Sequence, residues 1–149
     1  MAWQAASSSS GPAFFASRET SLQTVTLGAT TKVQFNSEVF DTDNCYDSST
    51  NYRFTPNKAG YYQINATCVV SAGNLTVFRV YIYKNGSYYL GGNDINKNND
   101  AYAGGLVSAV MYFNGSSDYI EIYAAPGGLG AGDIMTSKST HFSGIWIRS

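Results

Sequence analysis

Asn85-Gly86 stands between two runs of alternating apolar and polar residues, 75–84 before it and 87–90 after it. Both residues tolerate the positive φ of a type I′ turn, whose twist matches that of a β-hairpin. In the first run Val77, Arg79, Tyr81 and Tyr83 share one face, and Phe78, Val80 and Ile82 share the other. A helix repeats its faces every 3.6 residues, so this period of two reads as strand. A second tight turn at Asn114-Gly115 separates strands over 105–113 and 119–124. In the latter, Tyr119, Glu121 and Tyr123 oppose Ile120 and Ile122. Further short strands are predicted over 13–17, 22–27, 31–35, 52–55, 61–71 and 141–147. Turns or loops are predicted at 41–51, 56–60, 72–74 and 91–101, and the glycine-rich stretch 126–133 reads as a mobile loop. No segment carries helical periodicity. Many short strands with regular turns predict an all-β sandwich, barrel or jelly roll.

Length permits one domain able to bury its own core: 149 residues. Residues 1–12, rich in Ala and Ser and ending in Gly11-Pro12, read as a linker or the end of an upstream stalk, with the domain over 13–149. Charged residues make up only 13%, about half the usual ~25%. The polar surface therefore falls to Ser, Thr, Asn, Gln and Tyr. The 9 Lys and Arg residues are scattered and the net charge is −1. Nucleic acid, which needs a concentrated positive patch, is excluded as a partner. No apolar run approaches the ~20 residues that span a bilayer as a helix, so no membrane insertion is expected. Residues 1–10 lack both the basic start and the apolar stretch of a signal peptide.

The aromatic spacing resembles the C1q globular domain, a branch of the C1q/TNF superfamily. Phe35 is followed after five residues by Asp41, and after four more by Tyr46. Phe54 comes next, one residue later than the family spacing, and then Gly60-Tyr61-Tyr62-Gln63-Ile64, with Ile64 where the family usually has Phe. Residues 12–18 resemble the family's opening strand and residues 142–147 its closing strand. The resemblance implies an antiparallel jelly-roll sandwich that assembles as a homotrimer. Tyr62, Ile64, Phe113, Tyr119, Ile122, Phe142, Ile145 and Ile147 are the expected trimer interface or core. The strand over 119–124 is apolar on both faces except at Glu121, which suggests one cover from the domain's own second sheet and another from a neighbouring subunit. The style of the sequence is similar to C1q-like heads of phage tail fibres and bacterial surface proteins. That implies a place on a virion or at the cell surface.

Catalytic chemistry finds few parts. His141 is the single histidine and sits in a strand; no Gly-x-Ser-x-Gly elbow is present. The carboxylates are dispersed, and Gly127-Gly128-Leu129-Gly130 precedes no helix that would make it a phosphate cradle. Cys68 alternates with Tyr62, Ile64, Ala66 and Val70, which reads as a buried thiol; whether Cys45 and Cys68 pair is left open by the sequence. Asp41, Asp43 and Asp47 concentrate oxygens in one loop, weak candidates for Ca²⁺, although Asx residues also cap their own turns. No other cofactor is implied, and the protein is expected not to be an enzyme.

Binding has positive support. Loops held by a rigid β scaffold often carry recognition, and Tyr with Asn makes an adaptable contact surface. Tyr88, Tyr89, Asn93, Asp94, Asn96 and Tyr102 are the candidate ligand contacts. Aromatic faces stack on pyranose rings while amides bond their hydroxyls; the same composition also suits plain polar loops. The expected function is a trimeric receptor-binding head at the tip of a fibre, recognising a cell-surface glycan or protein. The alternative is a trimerisation cap that ends a fibre without a ligand of its own.

Overall fold

The computed structural model describes residues 10–92 and 94–149, which contain twelve strands and no helix. In chain order they are β1 (Ala13–Arg18), β2 (Gln23–Thr26), β3 (Thr31–Lys32), β4 (Ser37–Asp41), β5 (Tyr46–Asp47) and β6 (Arg53–Phe54). There follow β7 (Ala59–Lys84), β8 (Ser87–Gly91), β9 (Ile95–Asn114), β10 (Ile120–Gly128), β11 (Ala131–Ile134) and β12 (Ser137–Arg148). Every pairing is antiparallel.

The expected turn at 72–74 does not interrupt the chain; β7 runs unbroken for 26 residues and serves both layers of the sandwich. Its first half lies between β12 and the second half of β9, and β1 and β4 extend that layer beyond β12. Its second half pairs with β8 and β10, and β10 also bonds β3 and β6. Register shifts between Ser71 and Leu75, and again between Leu75 and Val77, mark the crossing. Such bulges bend a strand and raise its twist. Tyr62, Ile64, Ala66, Cys68, Val70 and Ala72 point inward before the crossing, and Leu75, Phe78, Val80 and Ile82 after it, so both halves face one core.

Two further loop expectations are revised. Residues 95–101 of the polar stretch belong to β9, with Val77 opposite Asn96 and Leu75 opposite Asp100. A strand with a wet face carries polar residues without losing its ladder, which hid it in the sequence. Residues 126–128 belong to β10 and 131–134 to β11. Pro126 sits in β10 opposite Phe78, and its carbonyl accepts a bond from Gly28 N at 2.7 Å.

Asn85-Gly86 makes the expected tight turn, with φ of 52° and 78°. Asn85 also joins two hairpins: its Oδ1 accepts from Tyr119 N at 2.9 Å and its Nδ2 donates to Asp118 Oδ1 at 2.9 Å.

Aromatic rings fill one end of the core. Phe14 of β1 stacks on Phe54 of β6 at 4.3 Å and meets Phe142 of β12 edge-on at 4.8 Å. Tyr46, Tyr62 and Phe113 complete the cluster. Each such pair adds about 0.5–1.5 kcal/mol beyond its buried area. The two buried phenols are satisfied: Tyr46 Oη donates to Phe35 O at 3.0 Å and Tyr62 Oη to Lys58 O at 2.7 Å. Gly144 is held to glycine by this cluster, since a Cβ there would lie 2.7 Å from the Phe14 ring and 2.9 Å from Ile64 Cδ1.

Phe14, 1% exposed, is thus a packing test. Phe14→Ala is expected to cost about 3–5 kcal/mol in chemical denaturation. Leu22→Ala, at an exposed position, is expected to cost under about 0.5 kcal/mol.

Candidate binding surfaces

The two layers present very different outer faces. On the layer β4-β1-β12-β7-β9, cross-strand pairing aligns Tyr61 with Tyr112, Gln63 with both Val110 and Ile145, and Phe15 with Phe40. Val110 is 55% exposed and Ile145 54%, and Tyr61, Leu106, Tyr112 and Ile147 are also open. None of these side chains carries a formal charge. A small amide network lies among them: Gln63 Nε2 donates to Ser108 Oγ at 2.9 Å, and Ser108 Oγ donates to Asn65 Oδ1 at 2.8 Å.

The expected interface residues divide on this evidence. Ile145 and Ile147 do stand on the open face, and Tyr119 is half-buried with the Arg53 guanidinium 4.5 Å from its ring centre. Tyr62, Ile64, Phe113, Ile122 and Phe142 are wholly enclosed by their own chain and belong to the core alone. On the outer side of β10 the chain's own side chains pack side by side: Lys32 Nζ lies 2.9 Å from Glu121 Oε1, and Tyr83 packs on Tyr123 at 4.1 Å.

That second outer face, over β3-β10-β7-β8, is a tyrosine platform. Glu121 lies opposite Tyr83, Tyr123 opposite Tyr81, Ala125 opposite Arg79, and Tyr88 opposite Tyr83. Tyr88 meets Tyr81 edge-on at 5.4 Å and Tyr83 at 6.2 Å. Beside Tyr81 a groove of about 160 Å³ is lined by Arg79, Ala125, Pro126, Gly127 and the loop 28–30. Arg79 is pinned by Asp94, with Nε to Oδ1 at 2.5 Å and Nη2 to Oδ2 at 2.7 Å, which lowers the Asp94 pKa.

Of the expected ligand contacts, Tyr88 and Asp94 join this platform. Tyr89 and Asn96 are exposed, and Tyr102 is exposed on β9 opposite Ser71. Asn93 lies outside the described residues. Sequence reading passed over Tyr81, Tyr83, Tyr123 and Arg79. Their alternation marked them as outward-facing, but only the β7–β10 and β7–β8 registers bring them beside Tyr88.

The other candidates have structural partners. Asp47 accepts bonds from the backbone N–H groups of Ser49, Thr50 and Asn51, which hold its carboxyl well below the usual carboxylate range. Asp41 Oδ2 accepts from Tyr46 N at 2.7 Å, and Asp43 donates its own N–H to Asp41. These oxygens therefore serve separate turns, and among the described residues no group of three or more His, Cys, Asp or Glu is placed to hold a metal. Cys45 and Cys68 are both free and buried. Burial pushes the Cys68 thiol up to about 12, so it stays protonated and unreactive. His141 Nδ1 lies 2.9 Å from Lys138 O and 2.9 Å from Thr67 Oγ1. A carbonyl only accepts, so Nδ1 carries the proton and is no base for Thr67, whose hydroxyl donates to Ser139 O. Among the described residues no helix is long and apolar enough to cross a membrane.

No protein-family model matches the chain, and no curated protein matches it. Solved structures do. Eiger TNF from S. frugiperda is similar with a TM-score of 0.71 at 9% identity, covering 94% of this chain and 94% of that one. The globular domain of zebrafish complement 1qA protein gives 0.61 at 20% identity, covering 93% of this chain and 99% of that one. The PRD1 vertex protein P5 gives 0.64 at 18% identity, covering 93% and 99%. The chain has the C1q/TNF-like jelly-roll fold.

The Asp47 turn gives a pH test. A carboxyl whose folded pKa is depressed adds stability above its unfolded pKa, about 3.9, and loses it as pH falls toward the folded value. Asp47→Ala is expected to cost about 1 kcal/mol at pH 7, allowing for solvent screening. The gap to the wild type should narrow below about pH 4. In thermal melts it is expected to be the same with Ca²⁺ or with chelator; a gap that opens only with Ca²⁺ would assign the loop to the metal.

Proposed function

We propose that this C1q/TNF-like jelly roll is a homotrimeric, non-enzymatic receptor-binding head, displayed on a virion fibre or a cell surface. The carrying observation is the apolar outer face of β4-β1-β12-β7-β9, where Tyr61, Leu106, Val110, Tyr112 and Ile145 stand exposed and the exposed Arg148 lies at the edge opposite Tyr61. A soluble monomer rarely leaves so continuous an apolar surface in water, whereas a subunit covers it on assembly. Threefold packing would bury Val110, Ile145, Tyr61 and Tyr112 and leave the tyrosine platform outward. Three copies of that platform would then raise a weak single-site affinity through avidity. Likeness to a phage vertex protein favours the virion setting. The receptor is a glycan or protein on the host surface.

The base of the domain supports the second reading, a structural cap that terminates a fibre. Trp146 N donates to Pro12 O at 2.9 Å, Lys58 Nζ donates to Ser10 O at 2.6 Å, and Lys58 also sits 3.9 Å from the Trp146 ring centre. Residues 10–12 are thereby fastened to the head at two points, and the Lys58–Trp146 contact braces both, as a joint under tension requires. Selective labelling of bacterial cells separates the two readings, because a pure cap labels none.

Light scattering at micromolar concentration is expected to give three times the 16.1 kDa chain mass. Val110→Glu combined with Ile145→Glu places six carboxylates in the trimer seam and is expected to yield monomers with unchanged circular dichroism. A monomeric wild type would overturn the assembly.

A further inference from the structure

Resting on the receptor-binding reading, we propose that the tyrosine platform, from the groove beside Arg79 to the Tyr83–Tyr88–Tyr123 cluster, binds an uncharged oligosaccharide. The platform runs along β10 from Ala125 to Glu121, about 13 Å at the strand rise of ~3.3 Å per residue. The groove at one end, about 160 Å³, is smaller than the ~300–1,000 Å³ pockets that enclose drug-sized ligands. It therefore suits one ring of a longer chain whose remaining rings lie on the surface.

Shape and chemistry agree. Tyr88 is 60% exposed and packs at right angles to both Tyr81 and Tyr83, so neighbouring rings position it while most of its surface stays open. Gly91 keeps that arrangement clear, since a Cβ there would lie 3.1 Å from Tyr88 Oη and 3.2 Å from the Tyr81 ring. Rigid aromatic faces stack on the C–H faces of pyranose rings at low entropic cost, and their hydroxyls both donate and accept. Glu121 supplies an acceptor at the far end. Its side chain is only 9% exposed; Oε1 is paired with Lys32, while Oε2 has a long 3.5 Å contact with Tyr123 Oη. With only that long contact, Oε2 keeps acceptor capacity that a ligand hydroxyl would use.

Charge decides against an anionic ligand. The cations of the platform are already matched, Arg79 by a two-point bond to Asp94 and Lys32 by Glu121. A polyanion would have to break one of these pairs and would meet the freed carboxylate. A sugar without charge meets neither cost.

The test uses the intact protein on a bacterial strain that it labels. Surface polysaccharide from that strain, split by ion exchange into uncharged and anionic fractions, serves as competitor, and protease-treated cells serve as a parallel target. The uncharged fraction is expected to compete. Tyr88→Ala and Tyr83→Ala are each expected to weaken labelling on the order of tenfold, with assembly mass unchanged. Leu22→Ala, at an exposed position outside the platform, is expected to leave labelling as it was. Competition by the anionic fraction alone overturns the uncharged ligand. Loss of labelling on protease-treated cells, with neither fraction competing, overturns the glycan and leaves the receptor reading standing. Tyr88→Ala and Tyr83→Ala labelling like wild type overturns the site. Failure to label any strain overturns the receptor reading itself.

Discussion

The fold depends on one strand being shared between two sheets. β7 supplies the centre of both layers, and the register shifts around Leu75 let its inward side chains stay inward as it crosses. The two shifts cancel: inward side chains fall at even positions from Tyr62 to Ala72 and again at Phe78, Val80 and Ile82, and Leu75, between the shifts, turns inward from an odd position. The crossing therefore fixes more than connectivity. Because it passes the strand to the other layer, the outward odd positions Arg79, Tyr81 and Tyr83 form that layer's outer surface, while Tyr61, Gln63 and Asn65 of the first half form the outer surface of the other.

Those two surfaces solve the problem of a low-charge exterior in different ways. The platform over β3-β10-β7-β8 satisfies itself: rings pack on rings, and Lys32 and Arg79 each find a carboxylate of their own chain. The face over β4-β1-β12-β7-β9 has isoleucines, valines and tyrosines around an amide network, with the charge of Arg148 at its edge opposite Tyr61. An apolar face with a few internally bonded amides is what a closed symmetric interface needs, because buried amides left without partners would oppose association. One layer is thus suited to assembly and the other to recognition.

Much of this was legible in the sequence. The Asn85-Gly86 hairpin, the alternation of 61–71 and 75–84, and the aromatic spacing from Phe35 to Gly60 lead to an all-β jelly roll. The misread places share a cause. Ala72-Gly73-Asn74, residues 95–101 and Pro126 carry turn-like or polar residues, yet each lies on a strand whose ladder is completed by a distant segment. Local composition reports what a residue tolerates, and the partner strand decides what it does. The binding surface was half-visible for the same reason. Tyr88 and Asp94 stood out in a polar stretch, but Tyr81, Tyr83 and Tyr123 looked like ordinary strand residues until register set them side by side. Conversely, Tyr62, Ile64, Phe113, Ile122 and Phe142 belong to the core because the second layer covers them.

The division of labour between the two layers is most directly tested by covalent footprinting of tyrosines on the intact protein, read by mass spectrometry. Tyr61 and Tyr112 should be shielded, and should gain reactivity when Val110→Glu and Ile145→Glu separate the subunits, while Tyr88 reacts equally in both. Equal reactivity of Tyr61, Tyr112 and Tyr88 in the wild type, or shielding of Tyr88 with Tyr112 open, would contradict it.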